Sequence, residues 1–179
     1  MNRRTTTAIM LLLFIVLNAY AYQFAGPFDN PLGQKYRTQM ESLSVPPNSL
    51  PTSCRLATEV KTAPIFPATT NPFVTDNAKL IEFISLIGFG SKQLQEVSAA
   101  LSALYADRDG RHEVGIWGLQ FATEKAAAVA YGKLKDRDVL KKDRLLVTVW
   151  RDDDAARSCQ EAIRKHLTSN GFDQISIKP

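Results

Sequence analysis

Proline limits what this chain can build more than any other feature. Eight of its nine prolines lie at or before Pro72, and the ninth is the terminal Pro179. Proline lacks a backbone N–H and fixes φ, so helix interiors and central strands exclude it. The stretch 73–178 is therefore where regular structure runs without interruption. Before it, residues 22–53 carry the turn signals Asn30-Pro31 and Pro46-Pro47 and no sustained hydrophobic period. The expectation there is a Pro-rich extended arm or linker, with one helical turn near Gln34 to Leu43.

The N-terminus reads as an address. Arg3 and Arg4 precede an apolar run from Ala8 to Leu17, and Ala19-Tyr20-Ala21 has the small-x-small form of a cleavage site. These are the three parts of a secretory signal peptide over 1–21. The apolar run to Tyr22 is shorter than the ~20 residues a spanning helix needs, and Asn18 interrupts it. The expected mature chain starts at Tyr22, is exported to a periplasm or secreted, and stays out of the membrane once the signal is cut. Removing two arginines and no acids turns 22 basic and 18 acidic residues into 20 and 18, a net charge of +2. Nucleic acid calls for a strongly basic, clustered face. The one loose basic cluster, Lys133 to Arg144, is diluted by Asp136, Asp138 and Asp143.

From Cys54 onward the pattern alternates between strand and helix. Residues 54–60 (CRLATEV) suit a first strand. Thr75 or Asp76 caps a helix over 76–87 with Leu80, Phe83, Ile84 and Ile87 on its buried stripe, stopped by Gly88 and Gly90. A strand ending near Asp107, a turn at Asp109-Gly110 and a strand over 112–121 form a hairpin. A helix over 123–134, a strand over 144–150 and a helix over 154–167 complete the chain. The first six elements resemble the ferredoxin-like βαββαβ sandwich, here with an added C-terminal helix, so 54–179 is expected to be one α+β domain. That plan hosts many unrelated functions and assigns none.

Two cysteines in an oxidising compartment allow one intramolecular pairing, Cys54 with Cys159. In the expected sheet the first and last strands are neighbours, which brings the two together. Asp152, Asp153 and Asp154 stand where a helix start leaves N–H groups unpaired, and capping suits them better than a calcium loop, which needs alternating ligands, a glycine and a later glutamate. His112 follows a hairpin turn and His166 lies near a helix end. No H-E-x-x-H, C-x-x-C or G-x-S-x-G occurs.

Without a convergent set of nucleophile, base and metal-ligand types, the expected function is non-catalytic binding of a partner protein or small-molecule ligand by a monomer or homodimer, with no cofactor. Trp117 and Trp150 are the candidate ligand groove, beside a last helix that covers only part of its sheet face. Two rival readings stand. One is a dimeric α+β-barrel enzyme or haem or small-molecule binder, with the tryptophans and His112 or His166 at its centre. The other is an accessory subunit of an envelope complex, docked by the arm.

Overall fold

The computed structural model describes residues 30–57, 71–92, 94–107, 109–134 and 137–174. The expected signal peptide lies outside them. Among the described residues there are five α-helices and one antiparallel sheet of seven strands. The helices are α1 (Pro31–Lys35), α2 (Arg37–Leu43), α3 (Ala78–Phe89), α4 (Glu124–Lys133) and α5 (Arg157–Ser169). The strands are β1 (Cys54–Leu56), β2 (Phe73–Thr75), β3 (Val97–Asp107), β4 (Glu113–Phe121), β5 (Leu140–Lys142), β6 (Leu145–Arg151) and β7 (Asp173–Gln174).

The sheet runs β1-β3-β4-β6-β5-β7, with β2 beside β1 along the same edge of β3. This departs from the expected βαββαβ order, in which the first and last long strands are neighbours. Here β3 and β4 separate β1 from β6. Alternation along a strand says which side chains share a face and nothing about which strand lies beside which. The edge is stitched where β1 stops and β2 begins. Asn71 Nδ2 donates to Ala57 O at 2.8 Å and to Leu104 O at 2.7 Å, and Asn71 Oδ1 accepts from Leu104 N at 2.9 Å. One side-chain amide thus replaces the backbone of a missing strand residue.

Both faces of the sheet are buried. On one, Ala100, Leu119, Phe121 and Leu146 pack against Ile84 and Phe89 of α3 and Ala127 and Ala130 of α4. On the other, Leu101, Tyr105, Ile116 and Val147 pack against Met40 and Leu43 of α2 and Ile163 and Leu167 of α5. The described part of the expected arm is therefore helical and folded onto the sheet. Asn30-Pro31 starts a helix: Asn30 Oδ1 accepts from Gly33 N at 2.7 Å, and Pro31 occupies the first turn, where no N–H is missed. Tyr105 anchors this layer. Its ring is fully buried, and its hydroxyl donates to Leu43 O at 2.7 Å and accepts from Val45 N at 2.8 Å.

Helix α5 lies across that face and is tied to the sheet at both edges. Cys159, in its first turn, is bonded to Cys54 on the β1 edge, with Cα atoms 5.6 Å apart. Further along, Arg164 pairs with Asp138, and Lys142 of β5 donates to Asn170 O at 2.8 Å on the opposite edge. The expected disulfide is present, brought about by a helix laid across the sheet rather than by adjacent strands.

Two predictions follow from these ties. The disulfide spans a sequence separation of 105, and loop-closure entropy for such a loop amounts to roughly 4–5 kcal/mol. Replacing both cysteines with serine should lower the unfolding free energy by an amount of that order in urea titrations. A change below about 1 kcal/mol would place the stability elsewhere.

Burial pushes the Tyr105 hydroxyl up to about 12. Above pH 10 the unfolded chain therefore gives up this proton first, and stability falls by about 1.4 kcal/mol per pH unit until the folded group ionises. Tyr105→Phe should remove that slope. It should also cost roughly 1–3 kcal/mol at neutral pH, by leaving Leu43 O and Val45 N unpaired. Urea titrations at neutral and alkaline pH check both, and an unchanged alkaline slope would assign it to another group.

Candidate functional site

Gly115, Trp117, Leu119 and Phe121 alternate onto one side of β4, and Leu146, Thr148 and Trp150 onto the same side of β6. The register opposes Gly115 to Trp150 and Trp117 to Thr148. The two tryptophans are thus diagonal neighbours across a strand pair, within reach of large side chains. Their ring centroids lie 5.9 Å apart with planes 22° from parallel. Glycine makes the arrangement possible. A Cβ at Gly115 would stand 2.2 Å from the Trp150 ring, so that ring lies directly on the strand backbone. A Cβ at Gly88 of α3 would stand 3.0 Å from Trp117 Cβ. Both tryptophans are half-buried, and Trp150 Nε1 has no hydrogen-bond partner among the described residues.

The sequence reading places Trp150 beside the last helix. The structure brings the two tryptophans together, but on the side covered by α3 and α4. Strand β6 is apolar on both faces, so its alternation does not say which helix covers which set.

The α3–α4 layer is also where apolar surface reaches water. Helix α3 (AKLIEFISLIGF) carries Lys79 and Glu82 as its only charged residues. It buries Ile84, Ser85 and Phe89, while Leu80 and Phe83 are half-buried and Leu86 and Ile87 are 41% and 47% exposed. Val129 on α4 is 53% exposed. Among the described residues these three are the exposed large hydrophobics, and all lie in one layer. The sequence reading assigns Ile87 to the buried stripe and overlooks Leu86. On a helix that is apolar nearly all round, several stripes satisfy the 3.6-residue period, and the missing polar face is the signal that could have exposed both. Helix α5 is the contrast: it buries Cys159, Ile163 and Leu167 and turns Arg157, Glu161 and Lys165 outward.

Asp153, Asp154 and His166, singled out in the sequence, take structural positions. Asp153 Oδ1 accepts from Ala155 N at 2.8 Å at the start of a 3-10 turn (Asp154–Ala156) leading into α5. Asp154 Oδ1 lies 2.6 Å from Arg151 Nη2 and 2.9 Å from Arg157 Nη2. The hydrogen bond from Arg151 and the charge of Arg157 hold its carboxyl below the usual range. His166 is depressed by partial burial, and its Nε2 stands 3.1 Å from Asn170 Nδ2. It belongs to α5, on the far side of the sheet from the tryptophans. Among the described residues no group of three His, Cys, Asp or Glu side chains could hold a metal ion.

The seating of Trp150 is open to test. Gly115→Ala forces the ring off the strand, and overpacking of this kind costs typically 1–3 kcal/mol. The variant should lose near-ultraviolet circular dichroism from the stacked indoles and melt at lower temperature. An unaltered spectrum and melting temperature would mean that the ring does not rest on Gly115. Comparison with known protein families, with curated proteins and with solved structures returns no match for this chain.

Proposed function

We propose that the mature protein is an exported, non-catalytic domain that binds a partner protein through the outer surface of α3 and α4. The observation that carries the reading is the gathering of Leu86, Ile87 and Val129 on one layer while the opposite layer is polar. Exposed apolar side chains scattered singly are ordinary, but a cluster on a helix with little polar surface marks an interaction face. Trp117 adjoins it, because Gly88 of α3 rests on its side chain one residue beyond Ile87. Trp117 and Trp150 are therefore the groove residues at the base of that face, and aromatic anchors suit the centre of a protein interface.

Export rests on the signal-like first 21 residues. The Cys54–Cys159 bond is compatible with it, and so is the finding that no helix among the described residues is long and apolar enough to cross a membrane.

The test pairs Leu86→Glu and Ile87→Glu in one variant. Both side chains stand substantially in solvent, so the melting temperature should stay close to that of the natural protein. The mature protein should co-purify a stoichiometric partner from its native compartment, and the double variant should lose it. A partner retained by the folded variant would remove α3 from the interface. A concentration-dependent doubling of mass in sedimentation, abolished by the same substitutions, would make a second copy the occupant instead.

A further inference from the structure

Helix α4 turns cations outward without matching them. Lys125, Val129 and Lys133 recur at four-residue steps and so share one side of the helix. Within α4 neither lysine has a carboxylate three or four residues away, and Ala128, Val129 and Ala130 stand there instead. Helix α5 is again the contrast, since Arg157 and Lys165 each lie four residues from Glu161. The ion pairs among the described residues all involve α5 or the turn that enters it, and Lys125 and Lys133 belong to none of them. Between this side of α4 and the segment 94–96 runs an open groove of about 340 Å³. Leu94, Ala126, Val129 and Ala130 give it an apolar lining, and both lysines line it too. Leu94 and Ala126 are half-buried and Ala130 is buried, so the floor is fixed, while Val129 stands in solvent. Glu96 is the carboxylate of the lining. Its Oε2 accepts from Thr123 Oγ1 at 3.4 Å, and it pairs with neither lysine. Glu124 lines a separate cleft beside Arg144.

We propose that this groove takes a segment of the partner protein in which an apolar side chain lies between acidic ones. The apolar side chain packs on Ala126, Val129 and Ala130, and a carboxylate meets each lysine. The proposal rests on the reading of α3 and α4 as an interaction face and gives the partner of that face its chemistry. Charge complementarity selects the occupant, because unmatched rim charges of one sign steer encounter and reject partners of the same sign. Lys125 and Lys133 stand eight residues apart, about 12 Å along the helix axis, with Val129 midway. The rest of the layer carries the same sign. Lys79, Lys92 and Arg137 are exposed there against Glu82. The Arg137 guanidinium lies over Gly90 at the end of α3, so the cationic run continues from α4 to the exposed Leu86 and Ile87. A floor of alanines and one valine is shallow. It suits side chains presented on a partner's backbone, whereas a small molecule calls for a site that encloses most of its surface.

Selection of random linear peptides from a display library on the immobilised mature protein tests this. The enriched peptides should combine Asp or Glu with apolar residues, and their affinity, read by fluorescence anisotropy, should fall as salt rises. Lys125→Glu with Lys133→Glu changes two exposed side chains, so the melting temperature should stay near that of the natural protein. The same variant should bind these peptides about tenfold more weakly, the scale of reversing two exposed ion pairs. Peptides remade with lysine in place of each acid should prefer the charge-reversed variant to the natural protein, a result that general loss of structure would not produce. Enrichment of peptides without acids, no enrichment at all, or equal affinity for the charge-reversed variant would overturn the groove. Peptides lost with Leu86→Glu and Ile87→Glu but kept by the lysine variant would strike the groove and leave the α3 face standing. Peptides indifferent to all four substitutions would remove both. Retention of the protein on phosphatidylglycerol vesicles, abolished by the lysine substitutions and accompanied by no peptide binding, would replace the protein segment with a lipid surface.

Discussion

In β3, Leu101, Ala103 and Tyr105 point to one side of the sheet and Ala100 to the other; in β6, Val147 and Val149 oppose Leu146. An antiparallel sheet often leaves one face to water, but one with apolar residues on both must be covered twice. The rest of the molecule answers that constraint. Helices α3 and α4 arise from the connections between strands and cover one face. The other face receives one such connection, α5 between β6 and the two-residue strand β7. It is closed by α2, before the first strand, and by α5, after the last long strand.

Covering a face in this way creates a problem of closure, since α2 precedes every strand and α5 is followed only by the two-residue β7. The ties found there are specific. The Tyr105 hydroxyl bridges the end of α2, and the Cys54–Cys159 bond fixes the first turn of α5 to the far edge. Gln160 Nε2 donates to Val149 O at 2.8 Å, holding the same helix to β6. Asp153 and Asp154 settle the entry to α5 through a backbone N–H and two arginines. The aspartate run thus belongs to the same task as the cysteine beside it.

The two layers differ in what they show to solvent. The layer of α3 and α4 keeps apolar side chains outside, beside a stacked tryptophan pair seated on glycine. The layer of α2 and α5 is polar outside. A protein partner is the occupant proposed for the first, because buried apolar area drives such association.

Much of the local structure was legible in the residues. The hairpin over 97–121 and the helices near 78–89, 124–133 and 157–169 follow from hydrophobic period and turn chemistry, which near neighbours in the chain set, and the pairing of Cys54 with Cys159 follows from there being two cysteines. The short strands β2, β5 and β7 were not legible, since two or three residues carry no period and exist only because a neighbouring edge accepts them. In the arm a helical turn near Gln34 to Leu43 was legible and corresponds to α2, whereas α1 was not, because Asn30-Pro31 serves a turn and a helix start equally well. Strand order, the face on which Trp150 lies and the exposure of Leu86 and Ile87 were decided by tertiary structure alone. Each depends on which distant surface packs against a given face, and a pattern of alternating residues says that a face is apolar without saying what covers it.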